Sequence, residues 1–354
     1  MRTTTGWQST DHSVALERVP IERRDLRDDD IAVRVDYCGV CHSDLHVIHG
    51  IMGKPTDGLV PGHEFTGTVT AVGAEVGDFA PGDRVAVGTL VDSCGVCAMC
   101  LAGQENYCYE GPVSTYGGTD RVDGTVTKGG YSREYVLRSA FAYHLPAELD
   151  PAAAAPLMCA GITVWEPMVA AGIGPGSRVA VAGLGGLGHL GVKFAAALGA
   201  QVAVLSRSAD KAVDARALGA TDLVDTTDDA QLAQSFGRFD LVLDTISAPH
   251  ELAPLLRLPR LDGTLSVVGF PREVSLQLMN LTSGRKKLTS SGTGGRLHTA
   301  EMLAFAAEHA ITADIELLPS ARVEEALTRL ERGDVRYRFV LDLSDLDRPA
   351  TRHS

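Results

Sequence analysis

The stretch Val179-Ala180-Val181-Ala182-Gly183-Leu184-Gly185-Gly186-Leu187-Gly188 decides the fold of half the chain. Its first four residues read as a fully buried strand, and the apolar run Leu187 to Leu198, closed by Gly199, reads as a helix. Between them stand Gly183, Gly185, Gly186 and Gly188. Glycine there permits a tight turn, the approach of backbone to a pyrophosphate, and close packing of helix on strand. With Leu187 these residues form a candidate dinucleotide cradle at the positive end of a helix. The plainer alternative is a glycine-rich packing turn; the strand before and the helix after favour the cradle.

Outward from this turn, Gln201 to Leu205 is the next apolar strand. A site built for NAD would place Asp or Glu just beyond it, against the ribose 2′-hydroxyl. This chain has Ser206, Arg207 and Ser208 there, with Lys211 one turn further. A guanidinium and two hydroxyls suit a 2′-phosphate, which favours NADP(H) over NAD(H). Asp210 reads as a helix N-cap. Phe239 to Asp244 and Thr264 to Val268 repeat the apolar-strand texture with helix-like segments between, so this half is a doubly wound parallel sheet.

Before about Ala155 the texture is different. Ile31, Val33 and Val35 alternate with Ala32, Arg34 and Asp36, the period of a half-buried strand. Thr66 to Val72 and Arg84 to Val87 are further β-branched runs bounded by turn residues. After the parallel sheet come a helix-like run from Thr299 to His309 and a closing strand, Phe339 to Leu343. The expected class is α/β, a β-rich domain joined to a doubly wound one.

The chain has 354 residues, 45% of them hydrophobic, enough for two ordinary domains. Lys and Arg number 32 against 45 Asp and Glu, a formal charge of −13. Such a chain is repelled by phosphate backbones and anionic lipid, so nucleic acid and membrane surfaces are poor partners. Met1 to Asp30 is polar and lacks an apolar export core, and Ala152 to Gly176 carries Glu166 and three prolines. A cytoplasmic location follows, and with it a metal or thiolate role for seven cysteines rather than a disulfide framework.

Cys94, Cys97, Cys100 and Cys108 lie in a Gly-rich segment with almost no apolar periodicity. Four thiolates at this spacing close tetrahedrally around zinc and leave no open position, so the ion is structural. Its binding supplies the folding free energy that the segment lacks. Four unrelated thiols or an iron–sulfur cluster are the alternatives.

Three cysteines remain. Cys41 stands in Gly39-Val40-Cys41-His42-Ser43-Asp44-Leu45-His46, His63 and Glu64 in Pro61-Gly62-His63-Glu64-Phe65, and Cys159 in Cys159-Ala160-Gly161-Ile162-Thr163. Two thiolates and an imidazole from three separate turns are the ligand set of an open zinc site, with a fourth position for substrate. Taken singly, Cys159 also reads as a buried thiol, His63 as a core histidine, and Cys38 with Cys41 as a redox pair.

Together these segments resemble the zinc-dependent medium-chain alcohol dehydrogenases, most closely the cinnamyl alcohol dehydrogenase-like branch. The likeness runs in order through 37–46, 60–64, 92–97, Gly129-Gly130-Tyr131-Ser132, 156–163, 183–189 and 333–340. It implies a GroES-like catalytic domain (1–157, with a structural-zinc lobe at 92–110), a Rossmann domain (158–297), a C-terminal return (298–354) and a homodimer. By position it implies catalytic zinc on Cys41, His63 and Cys159, with Glu64 approaching the metal when substrate is absent. Ser43 and His46 match the proton relay, and Asp44 the partner that orients His63. His42, Thr163, Ser291, Thr293 and Arg338 match cofactor contacts, Arg338 at the pyrophosphate.

The implied activity interconverts primary alcohols and aldehydes with NADP(H) and two zinc ions per chain. Plant members of the branch carry a bulky aromatic where Ser114 stands, so a broad aliphatic and aromatic aldehyde range rivals a cinnamyl-shaped pocket. Tyr116 and Trp165 read either as pocket walls or as core. Rival readings are a polyol or formaldehyde-type dehydrogenase on the same scaffold, and a zinc-stabilised nucleotide-sensing module.

Overall fold

The structure is a computed structural model that describes residues 1–51, 58–271 and 273–348. The chain divides into two compact units, Met1–Cys159 with Gly295–Ser354, and Ala160–Gly294. Among the described residues no single helix is long and apolar enough to cross a membrane.

The first unit is organised around the strand Asp30–Val40. Phe65–Val72 runs antiparallel along one of its edges, and Arg84–Val87 and Ala142–His144 follow outward. Two partners share the other edge. Glu134–Arg138 pairs with Asp30 to Arg34, and Arg338–Asp342 pairs with Tyr37 to Val40, so the end of the chain completes the sheet begun near its start. Ile315–Pro319 adds the outermost strand, parallel to Arg338–Asp342. The alternation expected at Ile31 to Asp36 holds only in part, because Ala32 is as buried as Ile31 and Val33. Successive strand residues point to opposite faces, so consecutive burial means that both faces are covered there.

Antiparallel pairing has a consequence for chemistry. The C-terminal end of Asp30–Val40 lies beside the N-terminal ends of Phe65–Val72 and Arg338–Asp342. Cys41, His63, Glu64 and Arg338 are therefore gathered at one end of the sheet, although they come from distant parts of the sequence.

The segment from 92 to 130 carries only short elements: the strand pair Leu90–Asp92 and Val113–Ser114, the helix Ala98–Leu101 and a 3-10 turn, Glu105–Tyr107. Val96, Leu101, Tyr109 and Val122 are exposed on it, so it buries little of its own apolar surface.

The second unit is a six-stranded parallel sheet. Its spatial order is Asp222–Asp225, Gln201–Ser206, Arg178–Ala182, Phe239–Asp244, Pro259–Val267, Lys287–Ser290. The order reverses between Arg178–Ala182 and Phe239–Asp244, and open sheets of this kind bind ligands at such a switch point. Gly183 follows Ala182 with φ +89°, and the helix Gly188–Ala197 begins five residues later. A Cβ on Gly188 would stand 2.1 Å from the carbonyl oxygen of Gly183, so only glycine lets the helix sit this close to the strand. Asp210 lies inside the 3-10 turn Ala209–Lys211, and Lys211 occupies the N-cap of the helix Ala212–Ala217. The N-cap expected at Asp210 is thus displaced by one residue, because a tighter turn precedes the helix.

Candidate active site and metal centres

His63 follows Gly62, whose φ of +96° is open to glycine and strained for other residues. The turn directs the imidazole towards two thiols. His63 Nε2 lies 3.2 Å from Cys159 Sγ, and Cys159 Sγ lies 3.9 Å from Cys41 Sγ. Ligands held tetrahedrally at about 2.3 Å from zinc place their sulfurs about 3.8 Å apart. The spacing of this buried triad fits that ion, and three protein ligands leave the fourth position to substrate.

One carboxylate organises the triad. Asp44, in the first turn of the helix His42–Ile48, is completely buried. Its Oδ1 accepts from His63 Nδ1–H (3.0 Å) and from the Gly62 amide (3.1 Å). Its Oδ2 accepts from the Cys41 amide (2.9 Å) and the Tyr131 hydroxyl (3.1 Å). The bond at Nδ1 fixes the ring orientation, so that Nε2, once it gives up its proton, turns its lone pair to a metal. Burial acts to lower the His63 pKa, but Asp44 outweighs it and holds the ring well above its ordinary value. A hydrogen bond from Cys159, opposed by burial and reinforced by Arg338 and His63, holds the Cys41 thiol well below its ordinary value. The thiolate is the form that binds metal.

Cys38 is outside this group. Its thiol is buried on the strand and donates to the Gly39 carbonyl at 3.6 Å, so the redox-pair reading of Cys38 with Cys41 has no paired sulfurs behind it.

Glu64 lies beside the triad but outside its ligand cluster. Its Oε1 accepts a hydrogen bond from Arg338 Nη2, and both residues are buried. Among the described residues Oε2 is buried without a hydrogen-bond partner, an atom that a nearby cation would satisfy. Arg338, expected at a pyrophosphate, thus has a carboxylate partner in its own unit. The pair needs Gly39, where a Cβ would stand 2.3 Å from Glu64 Oε1.

The second cluster is the lobe. Cys94, Cys97, Cys100 and Cys108 converge, with Sγ–Sγ separations of 3.8 Å for Cys94 and Cys100 and 3.5 Å for Cys97 and Cys100. The amides of Cys94 and Cys97 point at the sulfurs of Cys108 and Cys94, at 3.5 and 3.4 Å. Backbone N–H groups facing sulfur stabilise thiolates, so the donor set and the spacing both suit a saturated zinc site.

In the parallel-sheet unit a Cβ on Gly185 would meet nothing within 4 Å, which leaves the space that a phosphate needs next to the backbone. Gly186 and Leu187 complete the turn, and His189 Nδ1 lies 3.0 Å from the Gly185 carbonyl oxygen. Ser206 ends its strand, and its hydroxyl exchanges 3.1 Å hydrogen bonds with the backbone of Ser208. Arg207 and Lys211 are exposed on this loop. Thr163 is buried in the helix Ala160–Ala170, Thr293 is half-buried, and the Ser291 hydroxyl is buried without a partner among the described residues.

Comparison with known proteins agrees with this geometry. Residues 27–147 match the alcohol dehydrogenase GroES-like domain, and residues 186–308 the zinc-binding dehydrogenase domain. The chain is 45% identical to a cinnamyl alcohol dehydrogenase of Arabidopsis thaliana over 97% of its own length and 96% of the relative's. It is also 45% identical to a probable formaldehyde dehydrogenase of Bacillus subtilis, over 96% and 97% of the two chains. The chain belongs to the zinc-dependent medium-chain alcohol dehydrogenases, in the cinnamyl alcohol dehydrogenase-like branch.

Two solved structures of the branch superpose closely. A cinnamyl alcohol dehydrogenase of Sorghum bicolor has a TM-score of 0.93 at 42% identity, covering 96% of this chain and 98% of its own. One from Helicobacter pylori, complexed with NADP(H), has a TM-score of 0.90 at 30% identity with the same coverage. The alcohol dehydrogenase fold is therefore established, with a GroES-like domain and a Rossmann-type domain.

One partner of the triad escapes sequence reading. Tyr131 was visible only as part of a glycine-rich motif, yet its hydroxyl bonds Asp44. Tyr116 packs edge-on against His63, ring centroids 5.6 Å apart, so it supports a ligand from within the core. Trp165 packs edge-on against Phe194 in the other unit and is 6% exposed. Ser114 is exposed.

Because Asp44 alone sets the His63 ring orientation, Asp44→Asn should weaken zinc at the triad by about 10- to 100-fold. The lobe should keep its metal. Zinc content by atomic absorption after dialysis against a competing chelator checks this: one ion retained instead of two is the expected result.

Proposed function

We propose that the protein is an NADP(H)-preferring alcohol dehydrogenase and aldehyde reductase for primary alcohols and aldehydes, holding two zinc ions per chain. Cys41, His63 and Cys159 would hold the catalytic ion, and Cys94, Cys97, Cys100 and Cys108 the structural one. The observation that carries the reading is the buried three-ligand triad, with near-tetrahedral spacing and its histidine orientation set by Asp44. The nucleotide preference is supported by Arg207 and Lys211 beside the Ser206 turn, and by the NADP(H) bound in the Helicobacter pylori relative.

When bound, zinc supplies Lewis acidity to a substrate oxygen, and the nucleotide accepts or donates hydride. The chain's own residues manage the proton. Ser43, half-buried, has its Oγ 3.7 Å from Cys41 Sγ, so a hydroxyl stands next to the metal ligands. It would accept the alcohol proton during oxidation and return it during reduction. His46 is half-buried and one helical turn further on, and an imidazole, which exchanges protons around neutral pH, suits the outer end of the relay. Gly183, Gly185, Gly186, Leu187 and Gly188 would cradle the pyrophosphate, with Thr163, Ser206, Ser208, Ser291 and Thr293 of the same unit as further contacts.

A formaldehyde-type substrate is the second reading, favoured by the name of the Bacillus subtilis relative. It changes the substrate and leaves the site as described. The chain's own partner is read as a second copy. Lys287–Ser290 is an exposed sheet edge, and Leu276, Leu278 and Met279 of the same unit are exposed apolar side chains that a homodimer would cover.

An NADPH-oxidation screen with benzaldehyde, cinnamaldehyde and short aliphatic aldehydes tests the function. Turnover should appear with at least one class and disappear on chelation; no turnover with any class at full zinc occupancy would overturn the reading. Ser43→Ala should lower kcat at least ~100-fold with zinc content unchanged. Arg207→Ala should raise KM for NADPH by about 10-fold or more, the loss of one charged hydrogen bond, and leave KM for NADH nearly the same. Equal effects on the two nucleotides would mean that Arg207 does not read the 2′-phosphate.

A further inference from the structure

We propose that Arg23 is a positioning residue for the open metal site, acting through the turn 128–134 on Tyr131, Asp44 and His63. The inference rests on the reading of Cys41, His63 and Cys159 as zinc ligands.

Arg23 ends the strand Leu16–Arg23 and is 7% exposed. Its guanidinium donates to oxygen at four points of one turn. Nη2 donates to the Gly129 carbonyl (2.8 Å) and the Ser132 hydroxyl (2.6 Å), and Nε to the Glu134 carbonyl (2.9 Å). Nη1 donates to the Lys128 carbonyl. The face of the guanidinium stacks over the Tyr135 ring, 4.4 Å from its centroid. Among the described residues no carboxylate bonds it; the Glu134 carboxylate is engaged by Arg2. Burial pushes the Arg23 pKa down to about 10.

A buried cation with no bonded counter-charge is costly, and an apolar side chain would fill the same space more cheaply. What the cation provides is geometry: it turns three carbonyls and a hydroxyl towards one point.

That turn reaches the metal site by two routes. The amides of Gly129, Gly130 and Tyr131 donate to the carbonyls of Val60, Gly62 and Pro61, at 2.7, 2.8 and 2.9 Å. The turn is thus laid along the residues that lead directly into His63. The fit is close, since a Cβ on Gly129 would stand 2.1 Å from the Pro61 carbonyl oxygen and one on Gly130 2.6 Å from the Phe65 ring. By the second route, the fully buried Tyr131 donates its hydroxyl to Asp44, which in turn holds His63 Nδ1. Arg23 touches neither ligand nor substrate, so its effect should appear in metal retention.

The lobe provides an internal control. Zinc release from the full chain into excess chelator, followed with a colorimetric indicator, should show two phases, one from each site. Arg23→Met should speed the open-site phase by about 10-fold or more, the scale of losing a partner behind a ligand, and leave the lobe phase as in the wild type. Arg23→Lys, a cation with fewer donors, should speed it less. Tyr131→Phe, which removes only the hydroxyl bonded to Asp44, should act in the same direction as Arg23→Met.

If Arg23→Met does not fold, Tyr131→Phe and Ser132→Ala decide the question by the same ratio of phases. A purely structural role would lower Tm and leave that ratio unchanged, and this result would overturn the proposal. A wild-type chain with a single release phase would overturn the two-zinc reading beneath it.

Discussion

A buried carboxylate with four donors around it is the constraint on which the site depends. Asp44 ties together the helix that starts after Cys41, the turn that carries Gly62 and His63, and the turn that carries Tyr131. An ionised carboxylate away from water is tolerable only when its lone pairs are satisfied. Because every donor comes from a different turn or a different residue type, meeting that demand sets the relative position of all of them. The imidazole orientation that a metal requires is a by-product of satisfying Asp44.

Around this centre the same economy recurs. Glu64 and Arg338 neutralise each other next to two thiols, and Gly39 leaves the room for them. The Arg338 guanidinium stays charged against its burial because Glu64 and the thiols of Cys41 and Cys159 surround it. A single buried end of the sheet thus holds two thiols, an imidazole, two carboxylates and a guanidinium. Such a concentration of charge has little value for stability alone, since buried ion pairs seldom repay their desolvation. Perturbed ionisable groups in one place are the usual mark of chemistry.

The lobe represents a different solution to a different problem. It exposes Val96, Leu101, Tyr109 and Val122 and has only short elements, so apolar burial cannot hold it. Four converging sulfurs with amides aimed at two of them supply a metal site in place of a core. The parallel-sheet unit follows the opposite pattern: its central strands, Arg178–Ala182, Gln201–Ser206 and Phe239–Asp244, are apolar and buried along most of their length.

Sequence alone determined whatever depends on short range. The glycine turn was legible because strand, glycines and helix are contiguous, and the lobe because its four ligands fall within one loop. The doubly wound sheet followed from alternating apolar strands and helices. The triad was different: Cys41 and Cys159 are 118 residues apart and His63 and Cys159 are 96 apart, so spacing carries no geometry; two thiolates and an imidazole suggested an open zinc site by residue type, and family resemblance matched them to it by position. Tertiary structure decided that Arg338 meets Glu64, that Tyr131 serves Asp44, and that Arg23 holds the turn between them. These contacts arise from antiparallel pairing of strands from the two ends of the chain, and from buried polar groups that must find partners wherever the fold places them.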